Sequence, residues 1–268
     1  MRSDISVYRP SGGNWYLQRS AAGFAGTNFG VATDKIVPAD YDGDGKTDIA
    51  VYRPAEGYWY ISNSSNGTFK AARFGIAEDV PAPADYDRDG NADLAVFRPS
   101  IGTWFIENSS NSSFTVRQFG TAGDKPTAGD FDSDGKADIA VFRPSNGTWY
   151  RISSLSDEFV VQQFGISTDK IVPADYDGDG KTDIAVYRPS SGTWYISNSS
   201  NATFDAVNFG VSEDIPSPGD FDGDGRADVA VFRPSTGIWY IANSLNGSFT
   251  IYQFGQNGDR PTQSAFGD

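Results

Sequence analysis

Asp40-Tyr41-Asp42-Gly43-Asp44-Gly45-Lys46-Thr47-Asp48, running into Ile49-Ala50-Val51-Tyr52-Arg53-Pro54, is the stretch that decides the fold. Counted from Asp40, carboxylates stand at positions 1, 3, 5 and 9, with glycine at position 6. In a tightly curved loop this alternation aims every second side chain at one central point, and the glycine supplies the backbone freedom that the bend needs. Hard oxygens in this number suit Ca²⁺ better than Mg²⁺, which takes fewer protein ligands in stricter octahedral geometry. The backbone carbonyl of Lys46, at position 7, would complete the shell. A helix-flanked calcium loop would carry a bidentate Glu at position 12. Here the loop closes with Asp at position 9 and enters an apolar, β-branched run, so it feeds a strand.

The same frame recurs four more times. It reads Asp85, Asp87, Asp89, Asn91, Asp93; then Asp130, Asp132, Asp134, Lys136, Asp138; then Asp175, Asp177, Asp179, Lys181, Asp183; then Asp220, Asp222, Asp224, Arg226, Asp228. One such loop is compatible with a solvated acidic turn; five in one register point to metal.

Other markers keep the same period. Val-aromatic-Arg-Pro begins at Val7, Val51, Val96, Val141, Val186 and Val231, in one step of 44 residues and four of 45. Five residues after each proline stands one of the six tryptophans: Trp15, Trp59, Trp104, Trp149, Trp194 and Trp239. A Phe-Gly pair follows at Phe29, Phe74, Phe119, Phe164, Phe209 and Phe254, and four residues beyond each of those glycines is Asp34, Asp79, Asp124, Asp169, Asp214 or Asp259. Six units of one design, without a linker, are expected to form one domain over residues 1–268.

Each unit reads as four short strands. In the second unit they are placed near Val37–Tyr41, Asp48–Arg53, Tyr58–Asn63 and Thr68–Phe74, with the acidic loop joining the first two. Pro54-Ala55-Glu56-Gly57 and Ser64-Ser65-Asn66-Gly67 supply the turns. Tyr58 to Asn63 alternates aromatic and polar residues, as a strand with two unlike faces should, and helical periodicity is nowhere evident. Four strands per repeat of this length is the pattern of a propeller blade. The fold class expected is therefore all-β: a six-bladed β-propeller with four antiparallel strands per blade. The chain opens on a second strand, Asp4 to Pro10, and stops on a first strand, Pro261 to Asp268, so both termini should share one blade and close the ring without a free edge. At that join Ala265 and Gly267 stand where Asp130 and Asp132 stand elsewhere, beside Phe266. Five Ca²⁺ ions and no sixth are expected. Blades three apart are the most alike: Gly30 to Pro38 returns as Gly165 to Pro173, and Phe119 to Pro126 as Phe254 to Pro261, which suggests duplication of a three-blade half.

Composition sets bounds. The 268 residues carry a formal charge of −14, and five divalent cations would reduce it to about −4. Without metal the chain should suffer self-repulsion. No basic face is available for phosphate, which argues against nucleic acid. No apolar run is long enough to span a bilayer, and no signal peptide is legible. Cysteine is absent, so there is no disulfide framework; histidine is absent too, which removes the usual general base.

The Asp-x-Asp-x-Asp-Gly-x-x-Asp loops, the apolar strands after them and the Phe-Gly pairs resemble FG-GAP (integrin-α-type) and VCBS-type repeats across essentially the whole chain. That resemblance implies a calcium-binding β-propeller of a secreted or cell-surface protein. By it, the five Asp sets are the metal ligands, bracing the blades while ligands bind elsewhere. Integrin heads have seven blades and this chain has six. Some fungal and bacterial lectins use similar propellers with sugar sites between blades.

Two residue sets are weighed for ligand binding. An exposed indole stacks on the apolar face of a sugar, but a propeller also needs one large residue per blade to fill the wedge between blades, and the six tryptophans suit either role. Arg9, Arg53, Arg98, Arg143, Arg188 and Arg233 either reach sugar hydroxyls or carboxylates, or pair with an internal carboxylate such as the Asp after Phe-Gly. The aromatics at loop position 2 (Tyr41, Tyr86, Phe131, Tyr176, Phe221, Phe266) read as packing. The triplets Asn66-Gly67-Thr68, Asn146-Gly147-Thr148 and Asn201-Ala202-Thr203 are formal glycan acceptors but sit where turns want Asn. With no Gly-x-Ser-x-Gly elbow, phosphate loop or histidine, no catalytic residue is assigned. The expectation is a non-catalytic, monomeric, extracellular binding or scaffold module for a glycan or a protein. The alternatives are a multivalent lectin with sugar sites between blades, and a repeat-amplified structural propeller with no dedicated ligand.

Overall fold

A computed structural model describes residues 2–262. Those residues form six four-stranded antiparallel sheets and no helix, which is a six-bladed β-propeller. Blade 1 is Arg260–Pro261, Ile5–Arg9, Asn14–Arg19 and Gly23–Asn28; blade 2 is Lys35–Ile36, Ile49–Arg53, Tyr58–Ser62 and Phe69–Arg73. Blade 3 is Val80–Pro81, Leu94–Arg98, Thr103–Glu107 and Phe114–Gln118; blade 4 is Lys125–Gly129, Asp138–Arg143, Thr148–Ile152 and Phe159–Gln163. Blade 5 is Lys170–Ile171, Ile184–Arg188, Thr193–Ser197 and Phe204–Asn208; blade 6 is Ile215–Pro216, Val229–Arg233, Ile238–Ala242 and Phe249–Gln253. Blade 1 takes its first strand from the far end of the chain: Val7 pairs with Pro261 and Tyr8 with Arg260. The side chains of Ser6 and Thr262 bond across the same seam.

The chain divides into two compact units, Thr33–Ser167 and Met1–Ala32 with Thr168–Asp268. The former holds blades 2, 3 and 4, and the latter blades 5, 6 and 1. The boundary therefore falls in register with the duplication seen in the sequence.

The first strand is shorter and lies earlier than the expected Val37–Tyr41. In blade 2 it is Lys35–Ile36, then a break, then an isolated bridge between Ala39 and Asp48. Hydrogen bonding continues on both sides of Pro38, from the Val37 N–H to the Ala50 carbonyl at 2.9 Å and from the Asp48 N–H to the Ala39 carbonyl at 2.8 Å, so the proline costs the ladder no bond; its ring instead fixes φ short of the extended-strand value. Pro83, Pro173 and Pro218 break blades 3, 5 and 6 in the same way. Blade 4 has Ala128 at that position, and its first strand runs unbroken over Lys125–Gly129.

Each core is built by the repeated aromatics. All six tryptophans are buried, and each indole Nε1 donates to the carbonyl of the Phe in Phe-Gly at 2.8–3.1 Å. The second-strand aromatic packs on it, with ring centroids 5.2–5.6 Å apart. The glycine of the pair is required by the same packing. Gly75 has φ of 118°, and a Cβ there would lie 2.7 Å from the Tyr52 hydroxyl.

Candidate functional site

The five acidic loops share one wiring. In the loop of blade 2, Asp40 accepts from the Gly43 N–H at 2.7 Å and from the Gly45 N–H at 2.8 Å, one on each oxygen. Asp44 accepts from the Lys46 N–H at 2.8 Å. Asp48, fully buried, accepts from the Tyr41 N–H at 2.8 Å and the Ser64 N–H at 2.6 Å. Position 1 therefore curls the loop around itself, and position 9 ties the loop to the turn between the third and fourth strands. Gly43 has φ of 75°.

In every loop the carboxylates of positions 1, 3 and 9 converge, with oxygens within 4.8 Å of one another. These groups are Asp40, Asp42, Asp48; Asp85, Asp87, Asp93; Asp130, Asp132, Asp138; Asp175, Asp177, Asp183; and Asp220, Asp222, Asp228. The position-5 residues Asp44, Asp89, Asp134, Asp179 and Asp224 turn instead to the N–H of position 7 and to a serine of the neighbouring turn. Burial raises the pKa of Asp48, Asp93, Asp138, Asp183 and Asp228, against the pull of their two backbone N–H donors. Three gathered carboxylates, one of them buried, lack a compensating cation among their own hydrogen bonds. Asp87 adds a specific sign of fit, because its Oδ1 is buried with no hydrogen-bond partner. An all-oxygen donor set with such an orphan fits a hard divalent cation.

Sequence reading missed the serines. Ser64 and Ser65 donate their hydroxyls to Asp44 and Asp42, and Ser109 and Ser110 to Asp89 and Asp87. A serine recurs at Ser64, Ser109, Ser154, Ser199 and Ser244, and that constancy was the available signal. Loops are also linked serially within each unit. The Ala92 N–H donates to the Asp40 carbonyl at 2.6 Å, Ala137 to Asp85 at 2.7 Å, Ala227 to Asp175 at 2.6 Å, and Ser3 to Asp220 at 2.5 Å.

The residues weighed for ligand binding are placed as follows. Trp15, Trp59, Trp104, Trp149, Trp194 and Trp239 are at most 1% exposed, so they present no face to a sugar. That corrects the stacking assignment; the indoles fill the core. Arg9, Arg53, Arg98, Arg143, Arg188 and Arg233 each grip the Asp that follows Phe-Gly through Nε and Nη2, at 2.7–3.0 Å. Their guanidinium carbons lie 4.4–4.5 Å from an aromatic centroid on the third strand. Each is a two-sided clamp between an inter-blade linker and a strand, about one quarter exposed. Asn66, Asn146 and Asn201 accept from the N–H two residues on, the bond that an Asx turn makes. Position 9 of the sixth loop survives as buried Asp4, which accepts from the Ser20 N–H. Ala265, Phe266 and Gly267 lie outside the described residues.

A cleft of about 450 Å³ opens between blades 5 and 6. Its wall mixes Tyr176, Ile196 and Val207 with Asp177, Asp205 and Arg226. Asp205 is held by the Asn198 amide at 2.7 Å.

Comparison with known proteins agrees with this architecture. A model of the FG-GAP-like repeat matches residues 40–96, 85–141, 130–186 and 175–231, and an FG-GAP repeat model matches residues 215–252. No curated protein sequence matches. Among solved structures, a lectin from Agrocybe aegerita that recognises non-reducing terminal N-acetylglucosamine is similar, with a TM-score of 0.61 and 19% identity over 94% of this chain and 76% of that one. Virginiamycin B lyase from Staphylococcus aureus has a TM-score of 0.59 and 9% identity over 94% and 84% of the two chains. BBS1N, solved in complex with ARL6DN, has a TM-score of 0.59 and 12% identity over 94% and 79%. At such identities the likeness is one of fold.

Proposed function

Because the chain belongs to the FG-GAP repeat family, we propose that it is a calcium-braced, non-catalytic binding or scaffold propeller, working outside the cell as a monomer on a glycan or protein ligand. The observation that carries this reading is the fivefold cluster of carboxylates at positions 1, 3 and 9, with the orphaned buried oxygen of Asp87. Positions 1, 3 and 9 would hold the ion, position 5 would close on it, and the carbonyls of Lys46, Asn91, Lys136, Lys181 and Arg226 would complete the shells. Calcium would neutralise carboxylates whose own hydrogen bonds include no cation. The absence of histidine and the commitment of the buried acids to loops and arginine clamps support a non-catalytic role.

A lectin is the second reading, and the cleft between blades 5 and 6 favours it. Its apolar wall beside Asp177, Asp205 and Arg226 offers what a sugar needs, an apolar face and fixed polar partners. The test is a glycan array run in millimolar calcium with a chelated control. Calcium-dependent binding to one glycan class, lost in Asp205→Ala, is the outcome expected of the lectin. A blank array with folded, calcium-loaded protein leaves a protein ligand. Absence of calcium binding by calorimetry would remove the bracing role itself.

A further inference from the structure

One residue breaks the repeat where the cores are otherwise uniform. Two residues after each tryptophan stands a buried aliphatic side chain: Leu17, Ile61, Ile106, Ile196 and Ile241. In blade 4 that position is Arg151. Its guanidinium carbon lies 4.9 Å from the centroid of Phe131, position 2 of loop 130–138. Its Nε is buried and has no hydrogen-bond partner. The acid that acts on it is Asp138, position 9 of the same loop. Desolvation pulls its pKa down, yet an arginine remains protonated at any physiological pH.

A fixed positive charge thus sits in the layer directly behind one acidic loop, where the other four loops have a hydrocarbon. A charge with its Nε buried is costly unless an opposite charge compensates it, and here that charge comes from Asp138 of the carboxylate cluster. The cluster in turn needs less from outside. A divalent ion entering this loop meets carboxylates already partly neutralised and is repelled by the guanidinium through poorly screened surroundings. We propose that Arg151 is the resident counter-ion of loop 130–138, and that this loop binds a divalent cation at least tenfold more weakly than the other four. The inference rests on the calcium reading of the loops.

The test is calcium titration calorimetry on the full chain and three variants. Wild type should show four tight sites and one weak one. Asp132→Asn, which disables loop 130–138, should delete the weak class and spare the tight one. Arg151→Met, of similar length and uncharged, should give five tight sites, whereas Arg151→Lys should keep the weak class. A weak class unchanged in Arg151→Met, or a tight site lost in Asp132→Asn, overturns the proposal. If Arg151→Met does not fold, the wild-type and Asp132→Asn pair decides alone. Five equal sites in wild type defeat this inference and leave the calcium reading standing; no binding by wild type defeats both.

Discussion

Ala202 holds a φ of 54° in the turn between the third and fourth strands of blade 5, where blades 2 and 6 place Gly67 and Gly247. An L-residue in that region carries a steric cost that glycine does not. Ala202→Gly should therefore stabilise the protein by about 1 kcal/mol, read as a higher urea midpoint at unchanged slope; a lower midpoint would contradict the argument. Residue identity and spacing alone left the tryptophans open between core and sugar platform, because spacing tells where a side chain recurs and not what covers it. The buried indoles, each bonded to a Phe carbonyl, close the question. The sequence reading passed over Arg151, whose meaning depends on the Phe131 ring and the loop that the fold brings beside it.

Strands two, three and four of blade 2 were readable to within a residue, since alternation and the Asn66-Gly67 turn fix them locally. The first strand was not. A proline in an apolar run still looks like strand, but its ring fixes φ short of the extended value, and Ala128 in blade 4 accompanies the unbroken alternative. The acidic loops were legible because their side chains carry their own spacing. The serine turn that holds them lies about 20 residues downstream and enters only through folding. The arginine clamp is the element whose loss should cost most. In blade 3 the Asp79 side chain is wholly buried and that of Arg98 22% exposed. Arg98→Met would leave a buried carboxylate without its cation, and such a loss costs about 3–5 kcal/mol. Thermal unfolding should show it as a drop of many degrees, whereas a change near zero would mean that the Ile76 N–H and the adjacent Lys35 ammonium suffice for the Asp79 carboxylate.

For the whole molecule the charge of −14 is the dominant quantity. Without metal, its melting temperature should rise with added monovalent salt, which screens the self-repulsion. It should also fall as pH rises through the raised folded pKa values of Asp48, Asp93, Asp138, Asp183 and Asp228. A group whose folded pKa lies above its unfolded one adds stability below the unfolded value and loses it as the proton leaves. Calcium should invert that slope, because it binds the deprotonated carboxylates, and a hundredfold excess over Kd adds about 2.7 kcal/mol per site. Identical melts with calcium and with chelator, at every pH, would refute the bracing role. The hydrogen bonds between successive loops carry this further. The peptide carbonyl of position 1 in one loop is the acceptor for an amide of the next, from Asp40 to Ala92 and from Asp85 to Ala137 in one unit, and from Asp175 to Ala227 and Asp220 to Ser3 in the other. An ion that stiffens one loop thereby fixes the anchor of its neighbour, so occupancy within a unit should propagate like a row of nearest-neighbour spins, with a gradient of order running from the first loop to the last.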